Sequence, residues 1–209
     1  MRQSDTLANI LVNRSNTQTF LLCCGVAGSL LFTFVYFAYG AIAPDYNMMR
    51  QPIGDLELLK NGWIQSANFI VLGLTNFAFA EGLRREMGNG FGTTLIPLSM
   101  LTTSAGLVLL GIFAYDPAHT LAGCIAILPA VATFLLMSLR FAGDERWKGW
   151  SAYTMITAIL MSVFFIIYAY SKSRGGSYAG VYERLAVIAR LVWMFVFTFR
   201  LVDGRSVTQ

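Results

Sequence analysis

The sequence predicts an all-α polytopic membrane protein, a bundle of six transmembrane helices with both termini in the cytoplasm. Three observations predict it: a composition poor in charge, apolar runs of bilayer length, and an uneven division of Lys and Arg between alternate connections. Of 209 residues, 56% are hydrophobic and 12% are charged, about half the charged fraction of an ordinary soluble domain. Such a chain buries its apolar surface in lipid. The runs cover roughly residues 20–43, 63–83, 94–115, 121–139, 150–171 and 185–202, and each approaches the ~20 residues that carry a helix across a hydrocarbon core about 30 Å thick. No connection is long enough to fold alone, so residues 20–202 read as one transmembrane domain between a cytoplasmic tail at 1–19 and another at 203–209.

Orientation follows from the short connections, because cytoplasmic ones retain Lys and Arg. One side carries nine basic residues, Arg2, Arg14, Arg84, Arg85, Arg140, Arg146, Lys148, Arg200 and Arg205, and the other carries five, Arg50, Lys60, Lys172, Arg174 and Arg184. The richer side is assigned to the cytoplasm. The net charge of +4 reflects this rule and not nucleic-acid binding, since the basic residues are scattered along both membrane edges. Run one is retained and not cleaved as a signal peptide: its apolar stretch is too long, and Pro44 would follow the Ala41-Ile42-Ala43 cleavage-like triplet.

Within run one, Gly25 and Ser29 place small residues on one face, which lets a neighbouring backbone approach. Cys23 and Cys24 lie near one membrane face and Cys124 near the other, too far apart for a disulfide, which needs Cα atoms within about 7 Å. With a single His and no Cys or His pair at ligand spacing, neither a metal site nor a cofactor is implied. The connection 44–61 mixes charge with anchors, and Ile53, Leu56 and Leu59 at helical spacing predict a short helix that either lies on the outer surface or caps the bundle.

Run two carries polarity where it is costly. Gln65, Asn68, Thr75 and Asn76 fall on one helical face, within about a 100° arc. That face should look inward, toward hydrogen-bond partners on other helices or toward a cavity. In run three, Ser99, Thr103 and Gly106 form a small-residue face, and in run four Pro129 removes a backbone donor. Between these runs, Asp116-Pro117 is a turn signal, while His119 is the one side chain whose ordinary pKa lies near neutrality. If a reaction is catalysed, His119 as base with Asp116 as its orienter are the first candidates. In run six, Glu183 and Arg190 stand two turns apart on one face, which places Arg190 about 10 Å below the helix end. An unpaired Arg at that depth costs at least ~2.5–3.5 kcal/mol, so it should point inward and meet an acid, a carbonyl or an anionic ligand. Trp63, Tyr115, Trp147 and Trp150 lie at run ends, where amphipathic rings favour the headgroup region.

Several stretches taken together carry a resemblance. Gly62-Trp63-Ile64-Gln65-Ser66-Ala67-Asn68-Phe69-Ile70, Gly82-Leu83-Arg84-Arg85, Gly111-Ile112-Phe113, Asp116-Pro117, Trp147-x-Gly149-Trp150-Ser151 and Glu183-Arg184-Leu185 resemble, in order and spacing, the bacterial membrane family catalogued as domain of unknown function 998. The turn 116–121 is shorter than the His-containing loop of that family. The resemblance implies a multi-pass protein of the bacterial inner membrane and adds no reaction.

Four functional classes follow from these residues. The favoured one is a non-enzymatic protein that binds a lipid or small molecule in an intrabundle cavity opening outward, lined by Gln65, Asn68, Asn76, Glu183 and Arg190. A membrane enzyme acting on a lipid headgroup would use His119 and Asp116, with Arg190 on a phosphate, but no nucleophile elbow or His-rich motif accompanies them. A small transporter lacks the expected inverted repeat and broken helix pairs. A ligand-free structural subunit is the fourth. Membrane lipids are partners in every case, and self-association stays open.

Overall fold

The computed structural model describes residues 2–115 and 117–206, with side-chain surroundings for 16–115 and 117–202. The described residues form six α-helices: α1 (Arg2–Ile42), α2 (Trp63–Glu86), α3 (Leu95–Ile112), α4 (Ala118–Ala142), α5 (Trp150–Ser173) and α6 (Ala179–Ser206). Two 3-10 helices, Ile53–Leu58 and Glu145–Trp147, lie in the connections, and no strand is present among the described residues. Helix ends follow local chemistry. The helix α4 begins directly after Pro117, α2 ends with Arg84 and Arg85 in its last turn, and Gly149 at φ 85° turns the chain into α5. Basic groups at a helix C-terminus meet the unpaired carbonyls and the negative end of the helix dipole. The helix α1 starts at Arg2, so the backbone of the expected N-terminal tail continues into run one without a break.

Each helix packs on its sequence neighbours, and α6 packs on α1, which closes a ring. Close approach depends on small residues: a methyl added at Gly106 of α3 would lie 2.4 Å from the Ala126 backbone nitrogen of α4. The ring has two ends, one with the connection 43–62 (loop one) and one with both chain termini. Toward the terminal end, Leu22, Phe79, Met100, Phe134, Trp193 and Phe197 form one apolar core. Toward the loop-one end, Phe32, Tyr36, Phe69, Leu72 and Leu107 form a second, with Ile53 and Leu56 of loop one sealing it. Along four of the helices the boundary between the cores is polar: Ser29 on α1, Asn76 on α2, Thr103 and Ser104 on α3, and Arg190 on α6.

Outside the ring, every helix exposes large apolar side chains. Phe34, Leu74, Leu98, Leu128, Ile166 and Phe199, one from each helix, are all more than half exposed, a surface that suits lipid and not water. Five helices, all but α2, are long and apolar enough to span a membrane by length and composition. The sixth expected span, α2, has equal length but carries its polar stripe and the charged turn Glu81–Glu86 within it. Its polarity is turned inward, and Val71, Leu74 and Phe77 form its outer face. Trp147 and Trp150, expected to mark headgroup depth, also join an aromatic cluster: Trp147 stacks on Phe141 at 4.8 Å and Trp150 meets Phe197 at 5.6 Å. Cys23, Cys24 and Cys124 are free thiols.

Candidate functional site

Polar chemistry is concentrated in three places: the stripe of α2, the junction of loop one with α6, and the contact of loop one with the start of α4. On α2, Gln65, Asn68 and Asn76 are all buried, but the stripe divides into two levels. At the loop-one level, Asn68 Nδ2 donates to the Phe32 carbonyl of α1 at 3.0 Å and to Gln65 Oε1 at 3.3 Å. More than two turns below, Asn76 Oδ1 accepts from Arg190 Nη2 at 2.9 Å. Phe69 and Leu72 of the apolar core lie between these levels on α2. Gln65 and Asn68 are therefore not brought to Arg190, as one shared cavity requires. They tie α2 to α1, whereas Asn76 and Arg190 join α2 to α6 across the ring.

Glu183 is engaged elsewhere again. Its Oε2 accepts from the Ile53 backbone N–H at 2.6 Å, holding the start of the 3-10 helix in loop one against α6. The adjacent residue completes the clamp. Arg184 Nη1 donates to the carbonyls of Met48 at 2.7 Å, Gln51 at 3.1 Å and Gly180 at 2.8 Å, and its Nη2 donates to the Tyr46 hydroxyl. The guanidinium also lies over the rings of Tyr36 and Tyr46, 5.6 and 5.8 Å from their centroids. Loop one reaches α6 this closely because residue 180 is Gly: an added methyl would sit 2.3 Å from the Gln51 carbonyl oxygen. Burial pushes the Tyr46 hydroxyl up to about 12, against the pull of the Arg184 cation. It stays a neutral phenol that donates to the Pro52 carbonyl at 2.7 Å while accepting from Arg184.

At the start of α4, His119 Nδ1 lies 2.9 Å from the Phe113 carbonyl, to which it donates as the Nδ1–H tautomer. The same nitrogen is 3.3 Å from Glu57 Oε2, close enough for an ion pair but without hydrogen-bond geometry. Glu57 is buried on the inner face of the 3-10 helix, where Ser66 Oγ donates to its Oε1 at 2.8 Å. Burial pushes the Glu57 carboxyl up to about 7, and the Ser66 hydrogen bond pulls it only partly back. The described partners of His119 are thus Phe113 and Glu57; Asp116, its expected orienter, lies outside the described residues. Ser66 is bound to the carboxylate and not to the imidazole, so the three groups are not ordered as a nucleophile, base and orienter. Among the described residues, no three His, Cys, Asp or Glu side chains group to hold a metal.

Two cavities accompany these networks. At the loop-one end, about 340 Å³ opens between loop one and the α5–α6 turn, with Asn47, Arg50, Gln51 and Asp55 on one wall and Lys172 and Gly176 on the other. At mid-ring, about 20 Å³ lies among Asn76, Thr103, Thr133, Phe134, Arg190 and Trp193. The first is of ligand size, while the second has room for little more than a water. A family profile described as "Protein of unknown function (DUF998)" matches residues 26–200. The chain belongs to the DUF998 family. No curated protein and no solved structure matches it. Membership and the lipid-facing exterior together make this DUF998 chain a multi-pass membrane protein.

The reading of residues missed Arg184, Glu57 and the facing cations Arg50 and Lys172 of the loop-one cavity. A signal for Glu57 was present: it stands four residues after Ile53, on the face that Ile53 and Leu56 bury. Arg184 gave none, because its partners are loop carbonyls more than 130 residues earlier.

Proposed function

We propose that this DUF998 chain is a six-span protein of the bacterial inner membrane, with both ends in the cytoplasm, that binds a phosphate-bearing lipid headgroup in the cavity at its loop-one end. The observation that carries this is the 340 Å³ cavity itself, with Arg50 and Lys172 on opposite walls. Against one carboxylate, Asp55, the cavity sets two cations facing one space, a net positive lining that suits a phosphate, and Lys or Arg is the usual phosphate partner. The cavity lies at the end of the ring, where headgroups lie if the helices span. Its loop-one wall is pre-organised, since Arg184 and Glu183 hold loop one before any ligand arrives, and pre-organisation lowers the cost of binding. The mid-ring cavity is too small for a lipid, which moves the ligand from the bundle interior to its end. The enzyme reading draws less support, because His119 lines neither cavity.

Native mass spectrometry of gently extracted protein tests the binding. Retained phospholipid that is lost in the Arg50→Ala/Lys172→Ala double variant supports the reading; bare protein, or equal retention by both proteins, overturns it. Six spans and the orientation are supported by the apolar outer face of α2 and the basic terminal end. Cysteine labelling in intact cells tests both. Cysteines placed at Asp55 and Ser177 should react from outside, and those at Gly88 and Asp144 should not.

A further inference from the structure

The polar layer between the two apolar cores contains a cation without a counter-charge. Arg190 lines the 20 Å³ mid-ring cavity, and its one hydrogen bond among the described residues goes to Asn76 Oδ1. No described ion pair includes it. Glu183 is two turns away and bound to Ile53, and the other buried polar residues of the layer, Ser29, Asn76, Thr103 and Ser104, are all neutral.

Three of the polar groups around the cavity, Arg190, Asn76 and Thr103, share one further property: they present donors, whereas the Thr133 hydroxyl donates to the Pro129 carbonyl. A guanidinium can only donate, so the Asn76 amide must turn its oxygen to Arg190, which leaves Nδ2 as the free end. That Nδ2 is buried with no hydrogen-bond partner. Thr103 Oγ1 is buried and unpartnered as well. The hydroxyls beside it behave differently, Thr102 donating to the Leu98 carbonyl and Ser104 to the Met100 carbonyl, each one turn back. Asn76 is 2% exposed and Thr103 is 4% exposed, so neither is left open to bulk solvent. An orphaned buried donor costs about 1–3 kcal/mol, and here two border the same space as an uncompensated cation.

We infer that the centre of the ring is a binding site for one halide-sized monovalent anion, held by the Arg190 guanidinium, the Asn76 Nδ2–H and the Thr103 hydroxyl. An anion accepts from all three and cancels the buried charge, whereas a water must present oxygen to every donor and leaves the charge in place. The volume sets the size. About 20 Å³ exceeds the ~10–15 Å³ that one water requires but leaves no room for phosphate, sulfate or a carboxylic acid of metabolite size. The site is separate from the loop-one cavity and does not rest on headgroup binding.

Thermal unfolding of the purified protein in detergent tests it, with sodium concentration and ionic strength fixed while gluconate is exchanged for chloride or bromide. Chloride and bromide should raise Tm saturably by about 2–4 °C, the shift expected when a ligand reaches several times its Kd. Asn76→Asp places a carboxylate beside Arg190 and should make Tm independent of chloride. Thr103→Val should keep the chloride response but raise the half-saturating concentration about tenfold, as loss of one charge-assisted hydrogen bond predicts. Equal Tm of the unaltered protein in chloride and gluconate overturns the inference, and identifies the occupant as water. A full chloride response in Asn76→Asp, or an unchanged half-saturation in Thr103→Val if the Asp variant does not fold, also overturns it.

Discussion

Arg184 and Arg190 stand six residues apart on α6, are both directed into the protein, and are held in opposite ways. Arg184 donates to three backbone carbonyls and a phenol and lies over two aromatic rings. Arg190 meets one amide oxygen at the edge of a small cavity. The first uses its flat, forked shape to collect the carbonyls of a loop that has no regular hydrogen-bonding partner of its own, which is a structural task. The second keeps most of its donors free at the layer that separates two apolar cores. Burial of an arginine is therefore no guide to its role; the saturation of its donors is.

The largest expected effect comes from breaking the saturated one. Arg184→Leu leaves the Met48 carbonyl without its side-chain donor and the Gln51 carbonyl with the Tyr46 hydroxyl alone, and should destabilise the protein by about 2–4 kcal/mol. The loss should appear as a lower Tm and as proteolysis within residues 46–52. An intact loop one in this variant would show that Glu183 and Ile53 suffice. Next is the shape of the group. Arg184→Lys should recover less than half of that loss, because an ammonium cannot span three carbonyls and two rings, while Arg190→Lys should stay within about 1 kcal/mol of the parent. Similar costs at both positions would erase the contrast.

Removing the second charge should be mild. In gluconate, with no halide to compensate the charge, Arg190→Leu exchanges one hydrogen bond for relief of a buried cation and should change stability by no more than about 1 kcal/mol. Arg190→Glu should be worse than Arg190→Leu, since it buries a carboxylate with fewer donors around it. Thermal unfolding of the pair decides the order.

The smallest expected effect is a pH dependence of loop one. The Glu57 carboxyl is raised from 4.5 to about 7 by burial, so the folded state binds its proton more tightly than the unfolded state does. Its contribution is fully present below about pH 4.5 and is lost as pH rises toward and through 7. Loop one should thus be held more firmly at pH 5 than at pH 8, by roughly 1–2 kcal/mol. Glu57→Gln should flatten the dependence of Tm on pH across that window. A slope unchanged by the substitution would assign it to other groups.

Much of the fold was legible because membrane-length apolar runs announce helices, and each of the six runs corresponds to one of them. The inward face of α2 was legible for a related reason: Gln65, Asn68 and Asn76 share an arc, and an amide in hydrocarbon has nowhere else to turn. The inward face was readable, but level and pairing were not. Gln65, Asn68 and Arg190 lie in the same half of their helices by residue count, yet helix rotation and tilt leave Asn68 on the Phe32 carbonyl of α1 and put Arg190 at the deeper level of Asn76. Those angles depend on where small residues such as Gly106 admit a neighbour's backbone, which is a property of two helices and not of one. The loop-one cavity was beyond reach for the same reason, since its walls come from residues 47–55 and 172–179, brought together only when α6 docks.

The ring closure has a consequence for how the chain is made. As synthesis proceeds, α2 to α5 can each settle on the helix just before, so each addition requires only local contacts, the kind that form fastest. The last helix differs. It brings the partners for residues at separations of 114, 130, 136 and 165 positions, at Asn76, Ile53, Met48 and Ser29. Until α6 is inserted, the edge of α1 is bare, the Asn76 amide lacks its Arg190 partner, and loop one is held at Glu57 but not at residues 48–53. A chain truncated before residue 179 therefore keeps its hairpins but presents an open polar seam to the bilayer, a mark by which quality-control proteases can distinguish unfinished copies from finished ones.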